Sequence, residues 1–487
     1  MKKIEIVILA LILVVAGLLR FPLVLQGFFA YTFDQGRDLL AVSEIVNDFN
    51  LTLIGPTTGL PGIFYGPWWY YFLSPIFFTT GGNPLAMTFV FAALGEITIV
   101  LLYLLAKKIT KNILASLGVA AISAMSQPFI TSSSQIWSPS LVLPLMVAYV
   151  FLVAKIFEKP KPLLFLLLGL ASGLILDSGA AFGVALTIST IIAGLFFRKF
   201  FPLKSYGFYF IGLLAVFSPR ILFDLRNDFL ITKSVASWLL SPTIYQERLS
   251  LLERFINRLD LFWLQFAQTF TQSKKILSLV PLLVLVVIAL FRANSLAKIP
   301  IFKFLFLTTG LLYLLFWLYP DAVWDYYLVG LPLIFLTLAA IIFSTLSKHL
   351  ASLQISTMII IVLLNINPKI FAPFSITWQG DGAIYRNQTR VLDKVKVELK
   401  GDYSLYVYTP ARFDYPFDYL IDYYARLGNL ELPKEGQRRF YLIIRDDSSH
   451  SYLSSGWYGD KIRNQNSLQM KEEFPGNIIV EKHERSI

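Results

Sequence analysis

Apolar residues recur along this chain in runs of near-bilayer length. The first, Ile4 to Leu25, is about 22 residues long, roughly 33 Å as a helix. Ten more lie near residues 84–106, 113–130, 139–157, 163–181, 183–197, 206–221, 276–291, 301–319, 327–344 and 353–371. A helix needs about 20 apolar residues to cross a bilayer, so the pattern predicts eleven spans. A shorter run, Trp68 to Thr80, holds Pro75 and follows Pro67. It reads as a re-entrant or interfacial segment. The opening run is too long for a signal h-region and no A-x-A-like site follows it, so it reads as a retained span.

Two polar stretches between spans are large, 26–67 and 222–275. The first has near-helical apolar spacing from Asp38 to Phe49, and the second from about Tyr245 to Thr271. A helix in the first loop is expected to lie flat on the membrane surface. After Phe371 the period changes. Strand-like runs (Ser404–Tyr408, Phe440–Ile444, Asn477–Val480) alternate with helix-like ones (Tyr385–Leu399, Tyr415–Leu427). The expected fold is mainly α. A polytopic transmembrane helical bundle (1–371) is followed by a small α/β domain (372–487).

Composition agrees. Apolar residues make up 56% and charged residues 15%, against roughly 25% charged in soluble domains. Mean hydropathy is +0.63. A soluble enzyme, a disordered chain and a nucleic-acid-binding module are excluded. The net charge of +11 sits in the membrane part, because residues 373–487 carry 16 basic and 16 acidic side chains. If Trp68–Thr80 does not cross, the basic loops at 107–111, 155–161, 198–199, 292–298 and Lys348 fall on the cytoplasmic side. The N-terminus is then cytoplasmic. Both large loops and the C-terminal domain are extracytoplasmic. The net charge of +2 in 222–275 is a mild exception, since long loops obey the rule poorly.

The chemistry is narrowed by what is missing. The chain has no cysteine, three histidines (His349, His450, His483), no GxxxxGK[ST] or GxGxxG, and no G-x-S-x-G. Nucleotide loops, zinc sites and serine-nucleophile elbows are therefore poor fits. What remains is carboxylates, arginines and aromatics.

Three clusters stand out, all on one side of the membrane by the charge argument. The first is Tyr31-Thr-Phe-Asp34-Gln-Gly-Arg37-Asp38, with Arg20 near the end of span one. A carboxylate there can serve as general base toward a hydroxyl. Alternatively Asp34 caps the following helix and Asp38 pairs with Arg37 or a lysine. The Asp34/Asp38 spacing also leaves a divalent cation open. The second runs from Gly55-Pro56 to Tyr65-Gly66-Pro67-Trp68-Trp69-Tyr70-Tyr71. It reads as a groove for a lipid or sugar ring, or as an interfacial aromatic belt. The third holds Arg220, Asp224 and Arg226 after Pro219. These arginines suit a lipid phosphate, or snorkel to headgroups. Lesser candidates are Asp177, Asp325 with Tyr326-Tyr327, and Gln135-Ile-Trp137-Ser-Pro139. Glu96 is the one acid deep in a span.

Base, aromatic groove and phosphate-binding arginines together are what a lipid-phosphate sugar donor needs. A glycosidase would instead need two facing carboxylates. At this point the sequence resembles the polytopic GT-C glycosyltransferases. It resembles in particular the glycosyltransferase 39 group, with the protein O-mannosyltransferases and lipid A aminoarabinose transferases. The residues that carry it are Arg20 and Pro22, Asp34-Gln-Gly-Arg37, and Gly66-Pro67 before Trp-Trp-Tyr-Tyr. Two departures stand out. Gln35 occupies the place of the family's glutamate, and Gly66 that of its first proline.

The resemblance implies an inverting glycosyltransferase, hexosyl or pentosyl, using a polyprenyl-phosphate sugar. Asp34 would be the base. Arg37, Asp38, Tyr65, Trp68 and Trp69 would contact acceptor or donor, and Arg220 and Arg226 would bind lipid phosphate. Partners would be the donor, membrane lipids and a protein, lipid or glycan acceptor. No cofactor is certain. A polytopic transporter or lipid flippase is the alternative, although no internal repeat is visible.

Overall fold

In the computed structural model of the chain, residues 2–240, 249–346, 350–375, 378–397, 399, 401–410, 413–462 and 466–485 are described. Tyr245, Lys348, His349 and Glu398 lie outside them. The chain opens with α1 (Lys2–Leu18), α2 (Phe21–Leu25), α3 (Phe33–Asn47) and α4 (Trp68–Thr80). Next come α5 (Pro84–Thr110), α6 (Ile113–Met125), α7 (Gln127–Ser132), α8 (Val142–Glu158), α9 (Pro162–Ser178), α10 (Ala180–Phe196) and α11 (Ser205–Arg226). The second large loop carries α12 (Leu230–Leu240) and α13 (Leu251–Thr271). The bundle closes with α14 (Leu279–Phe291), α15 (Ala293–Leu296), α16 (Pro300–Leu318), α17 (Leu331–Ser344) and α18 (Ala351–Leu364).

Among the described residues, five helical stretches are long and apolar enough to cross a membrane, and seven shorter apolar helices accompany them. Each of the eleven runs read as spans holds one of these. The remaining helix, Leu230–Leu240, falls in the second large loop. The chain is thus an integral membrane protein by helix length and composition. Helix α4 has 13 residues, about 20 Å of helix against a hydrocarbon core of about 30 Å. It stops at Gly81, which sits in the left-handed region with φ 61°.

The packing of α9 on α11 sets the geometry of the site. Gly169, Gly173 and Asp177 lie four residues apart on one face of α9. Facing them on α11 are Gly212, Val216 and Arg220, also four apart. A Cβ on Gly169 would lie 2.0 Å from the Tyr209 carbonyl oxygen, and one on Gly212 would lie 2.1 Å from that of Leu166. Only glycine permits so close a crossing. Following the same two rows to their ends brings Asp177 onto Arg220.

The C-terminal region forms a four-stranded sheet, ordered β1-β2-β4-β3. Its strands are β1 (Ser404–Tyr408), β2 (Arg439–Arg445), β3 (Asn466–Phe474) and β4 (Ile478–Arg485). The β1–β2 pair is parallel and the other pairs are antiparallel. The helices of this region are α19 (Tyr385–Val395), α20 (Tyr415–Arg426), which forms the crossover between β1 and β2, and α21 (Ser451–Lys461). The sequence reading did not foresee β3 or α21. The β3 segment is mostly polar and bulged at Leu468/Met470, so its alternation is weak.

This domain is fused to the first large loop. Tyr31 N donates to Ala383 O at 2.7 Å, Tyr385 N to Phe29 O at 3.0 Å and Arg386 N to Gly27 O at 3.0 Å. Gln388 Nε2 donates to Tyr31 O at 2.8 Å. One buried cluster includes Phe29, Leu39, Trp69 and Phe91 together with Tyr385, Leu392, Leu420 and Tyr441. Helix α3 therefore has an α/β domain packed against it.

Candidate active site

The site begins at the first turn of α3. Thr32 is the N-cap, and the Gln35 side-chain oxygen accepts from Thr32 N at 2.8 Å and Thr32 Oγ1 at 2.6 Å. A glutamate at this third helical position would make the same reciprocal cap. The amide at 35 thus preserves the helix start. Capping falls to Thr32 and Gln35, which leaves Asp34 to face Arg37, 3.1 Å away.

Asp38 is buried at 1% exposure, with both oxygens occupied. Arg37 Nε and Nη2 donate to Oδ1 at 2.9 and 2.8 Å, and Trp69 Nε1 donates to Oδ2 at 2.7 Å. Burial pushes the Asp38 carboxyl up to about 6, although Arg37 opposes it. Burial also acts to lower the Arg37 pKa, but Asp38 and Asp34 outweigh it and raise that pKa overall. Arg37 is held as a cation between two carboxylates. Asp34 is the more accessible of them, with a side chain 39% exposed. Arg37 already lies where a cation bridging Asp34 and Asp38 would sit. Among the described residues, no group of three or more His, Asp or Glu side chains converges on a metal position.

A hairpin from the first loop leans over this centre. Gly55 N donates to Tyr65 O at 2.8 Å and Tyr65 N to Pro56 O at 2.9 Å. Gly66 N then donates to Asp177 Oδ1 at 2.9 Å. A Cβ at 66 would lie 2.3 Å from that oxygen, so glycine is required there. Arg220 Nη2 lies 2.8 Å from Asp177 Oδ1, and its guanidinium covers the Phe217 ring at 4.1 Å. Pro219 leaves Ala215 O without its helical partner, and Ser218 Oγ takes that carbonyl at 2.8 Å. Trp68 Nε1 donates to Val216 O at 2.7 Å, which pins α4 to α11.

Tyr65 interacts electrostatically with Tyr327, Asp34, Arg37 and Asp177. Burial first, then Tyr327 and the Asp34 and Asp177 carboxylates, against the opposing pull of Arg37, pushes its hydroxyl up to about 12. Tyr326 likewise interacts with Tyr65 and Asp34, and its pKa is raised chiefly by burial. Trp137 meets Tyr326 edge-on at 5.2 Å. Asp34, Tyr65, Tyr326, Tyr327, Asp177 and Arg220 are thereby brought to one place.

The sequence reading missed a second arginine. Arg258 on α13 is 2% exposed and lines a cavity of about 100 Å³ with Asn257, Asp321 and Trp324. Its donors meet neutral oxygens, Phe316 O at 3.3 Å, Asn257 Oδ1 at 2.5 Å and Asp321 O at 2.6 Å. It has no ion-pair partner among the described residues. The loop that lines the cavity continues directly into Asp325, Tyr326 and Tyr327. The signal in sequence was the pair Arg254 and Arg258, four apart on an amphipathic helix.

The other candidates fall elsewhere. Trp69 is 1% exposed and reaches the site only through Asp38. Arg226 is exposed at the last turn of α11, and Asp224 is used by Ile231 N and Thr232 Oγ1 at 2.6 and 2.5 Å. Arg20 is fully buried and donates to Ser133 Oγ, Ala16 O and Ala124 O, tying α1 to α6 and the end of α7. Glu96 faces Arg20 electrostatically.

No protein-family model matches the chain, and no curated protein matches it by sequence. Solved structures do match. ArnT from Cupriavidus metallidurans in the apo state is similar at 11% identity with a TM-score of 0.60, over 99% of this chain and 98% of that one. The same organism's ArnT bound to undecaprenyl phosphate is similar at 11% identity with a TM-score of 0.57, over 98% and 97%. The match runs from the first span to the C-terminal sheet, and the chain has the polytopic GT-C-type fold that its first-loop motifs imply.

Proposed function

We propose that this protein is an integral-membrane glycosyltransferase. It moves a sugar from a polyprenyl-phosphate donor to an acceptor hydroxyl on the extracytoplasmic face, with inversion. The observation that carries the reading is the presence of two groups of opposite charge open to a ligand, one on α3 and one on α13. Asp34 is an accessible carboxylate oriented by Arg37, and Arg258 is a buried guanidinium on a cavity wall, hydrogen-bonded to neutral oxygens and with the Asp321 carboxylate as an electrostatic neighbour. A buried guanidinium whose donors meet only neutral oxygens suits an anionic ligand in the adjoining cavity. The likeness to a structure bound to undecaprenyl phosphate supports a lipid phosphate as that ligand.

Asp34 takes the proton of the acceptor hydroxyl as its oxygen attacks the anomeric carbon. The new glycosidic C–O bond forms as the bond from that carbon to the phosphate oxygen breaks. The electron pair leaves on the lipid phosphate, a stable anion that needs no acid. Arg258 and Arg220 stabilise the negative charge on the phosphate oxygens. Tyr65 and Tyr326, kept protonated by their burial, donate hydrogen bonds to sugar or phosphate. Asp38 and Trp69 hold Arg37, and through it Asp34. Arg226 is exposed and screened by solvent, so it aids the approach of the headgroup more than its capture.

The topology that goes with this reading puts the N-terminus in the cytoplasm. The clusters above gather at the loop-bearing end of the bundle, where a transporter would need access from both ends. The test is release of lipid phosphate by detergent-solubilised protein, offered a panel of undecaprenyl-phosphate sugars. Release with one sugar and not others is expected. Absence of both release and binding for every donor would overturn the reading.

A further inference from the structure

The loop that starts α20 lies directly on the first turn of α3. A Cβ on Gly36 would lie 2.3 Å from the Tyr415 carbonyl carbon and 2.4 Å from Pro416 N. The C-terminal domain thus reaches within one turn of Asp34, through contacts that only a glycine at 36 allows. Three rings gather there. Phe413 and Tyr415 stack at 5.5 Å and 11°, and Phe33 meets them at 5.6 and 5.0 Å. Arg37 lies 5.3 Å from the Phe33 ring centre. Thr409 Oγ1 donates to Phe413 O at 2.8 Å, which ties Phe413 to the end of β1.

One of these rings is left open. Phe413 is 53% exposed, although it belongs to an ordered stack beside charged groups. An exposed aromatic face next to a carboxylate and a guanidinium is poorly suited to a lipid chain, which needs a continuous apolar groove. It suits a ring with apolar C–H faces and hydroxyl edges. Tyr65 and Tyr326 adjoin Asp34 from the bundle, where a membrane-borne donor would arrive. The stack approaches from the α/β domain.

We propose that Phe413 and Tyr415 form the acceptor platform of the enzyme. The acceptor is a carbohydrate whose ring lies on Phe413 and presents one hydroxyl to Asp34. This rests on the transferase reading. It adds that the acceptor class is a glycan and that the C-terminal domain selects it.

Saturation-transfer NMR on the full-length detergent-solubilised protein tests this, with methyl glycosides of glucose, galactose, mannose and N-acetylglucosamine as probes. At least one glycoside should take up saturation on its ring C–H protons. Phe413→Ala should cut that signal by roughly five- to tenfold, the effect of losing one aromatic contact. Phe413→Trp and Asp34→Asn should keep it. Equal signals in wild type and Phe413→Ala, or none with any glycoside, would overturn the platform. Binding of undecaprenyl phosphate is measured in parallel. Wild type that fails to bind it would strike the transferase reading itself. A platform that fails alone would leave that binding intact in every variant.

Discussion

Asp177→Asn tests the mechanical centre of this account. Asp177 is 1% exposed and the Arg220 side chain 10%, with 2.8 Å between charged atoms. Two unit charges 4 Å apart attract by about 4 kcal/mol at an effective dielectric of 20. Much of that offsets the cost of removing both charges from water. Stranding one partner is therefore worse than never having the pair, at about 3–5 kcal/mol. The Gly66 N–H would also lose its anionic acceptor, at roughly 1 kcal/mol more. Asp177→Asn and Arg220→Met should each destabilise by about 3–5 kcal/mol, and the double variant by about 2–3 kcal/mol less than their sum. Unfolding in mixed micelles, followed by tryptophan fluorescence, gives all four corners of the cycle. The double variant should lose less stability than the two single losses summed and should not regain turnover, because the anionic anchor of Gly66 and the Arg220 charge are both gone. Additive losses would show that the two residues are not coupled. Neutral single variants would show that the pair is not buried as described.

Further outcomes are expected. Below about pH 6 Asp38 gains its proton and releases Arg37, so turnover should fall on that limb. Stability runs the other way. The folded pKa lies above the ordinary value of about 3.9, so the native state holds the extra proton and folding weakens as pH rises from about 4 to 6. Trp69→Phe removes a bond that favours the anion and should move the limb up by about one unit; an unmoved pH–rate profile would deny Trp69 this role. Gly36→Ala should cost about 1–3 kcal/mol by overpacking against Tyr415 and Pro416, and hydrogen exchange should quicken in α20 while α9 and α11 stay protected. Arg258→Gln should weaken undecaprenyl phosphate binding by roughly tenfold or more, as for a charge-assisted bond, and Arg226→Gln by less than about twofold. The reverse ranking in a binding titration would move the phosphate to α11.

Much of this was open to a reading of the sequence, for physical reasons. Apolar runs give spans because the bilayer fixes their length, and Pro67, Pro75 and Gly81 show why α4 is short. Asp34 could be singled out because a carboxylate at a membrane boundary beside aromatics is unusual. Other features depend on partners far away in sequence. Gly169 and Gly173 resemble any small residues in a span until α11 lies across them. Gly36 reads as part of a motif until α20 rests on it. Arg258 reads as one basic residue on an amphipathic helix until burial removes it from water and the fold sets neutral oxygens against its donors. Trp69 passes for a belt residue, yet its indole N–H is spent on Asp38, 31 positions earlier.

The most direct test of the central claim is turnover of a polyprenyl-phosphate sugar by wild type and Asp34→Asn, with donor binding measured on the same samples. Loss of the base should cut turnover by about 10²–10⁴-fold, while folding and binding of undecaprenyl phosphate stay close to wild type. Near-normal turnover in Asp34→Asn would contradict the account, because Asp34 is the base it assigns.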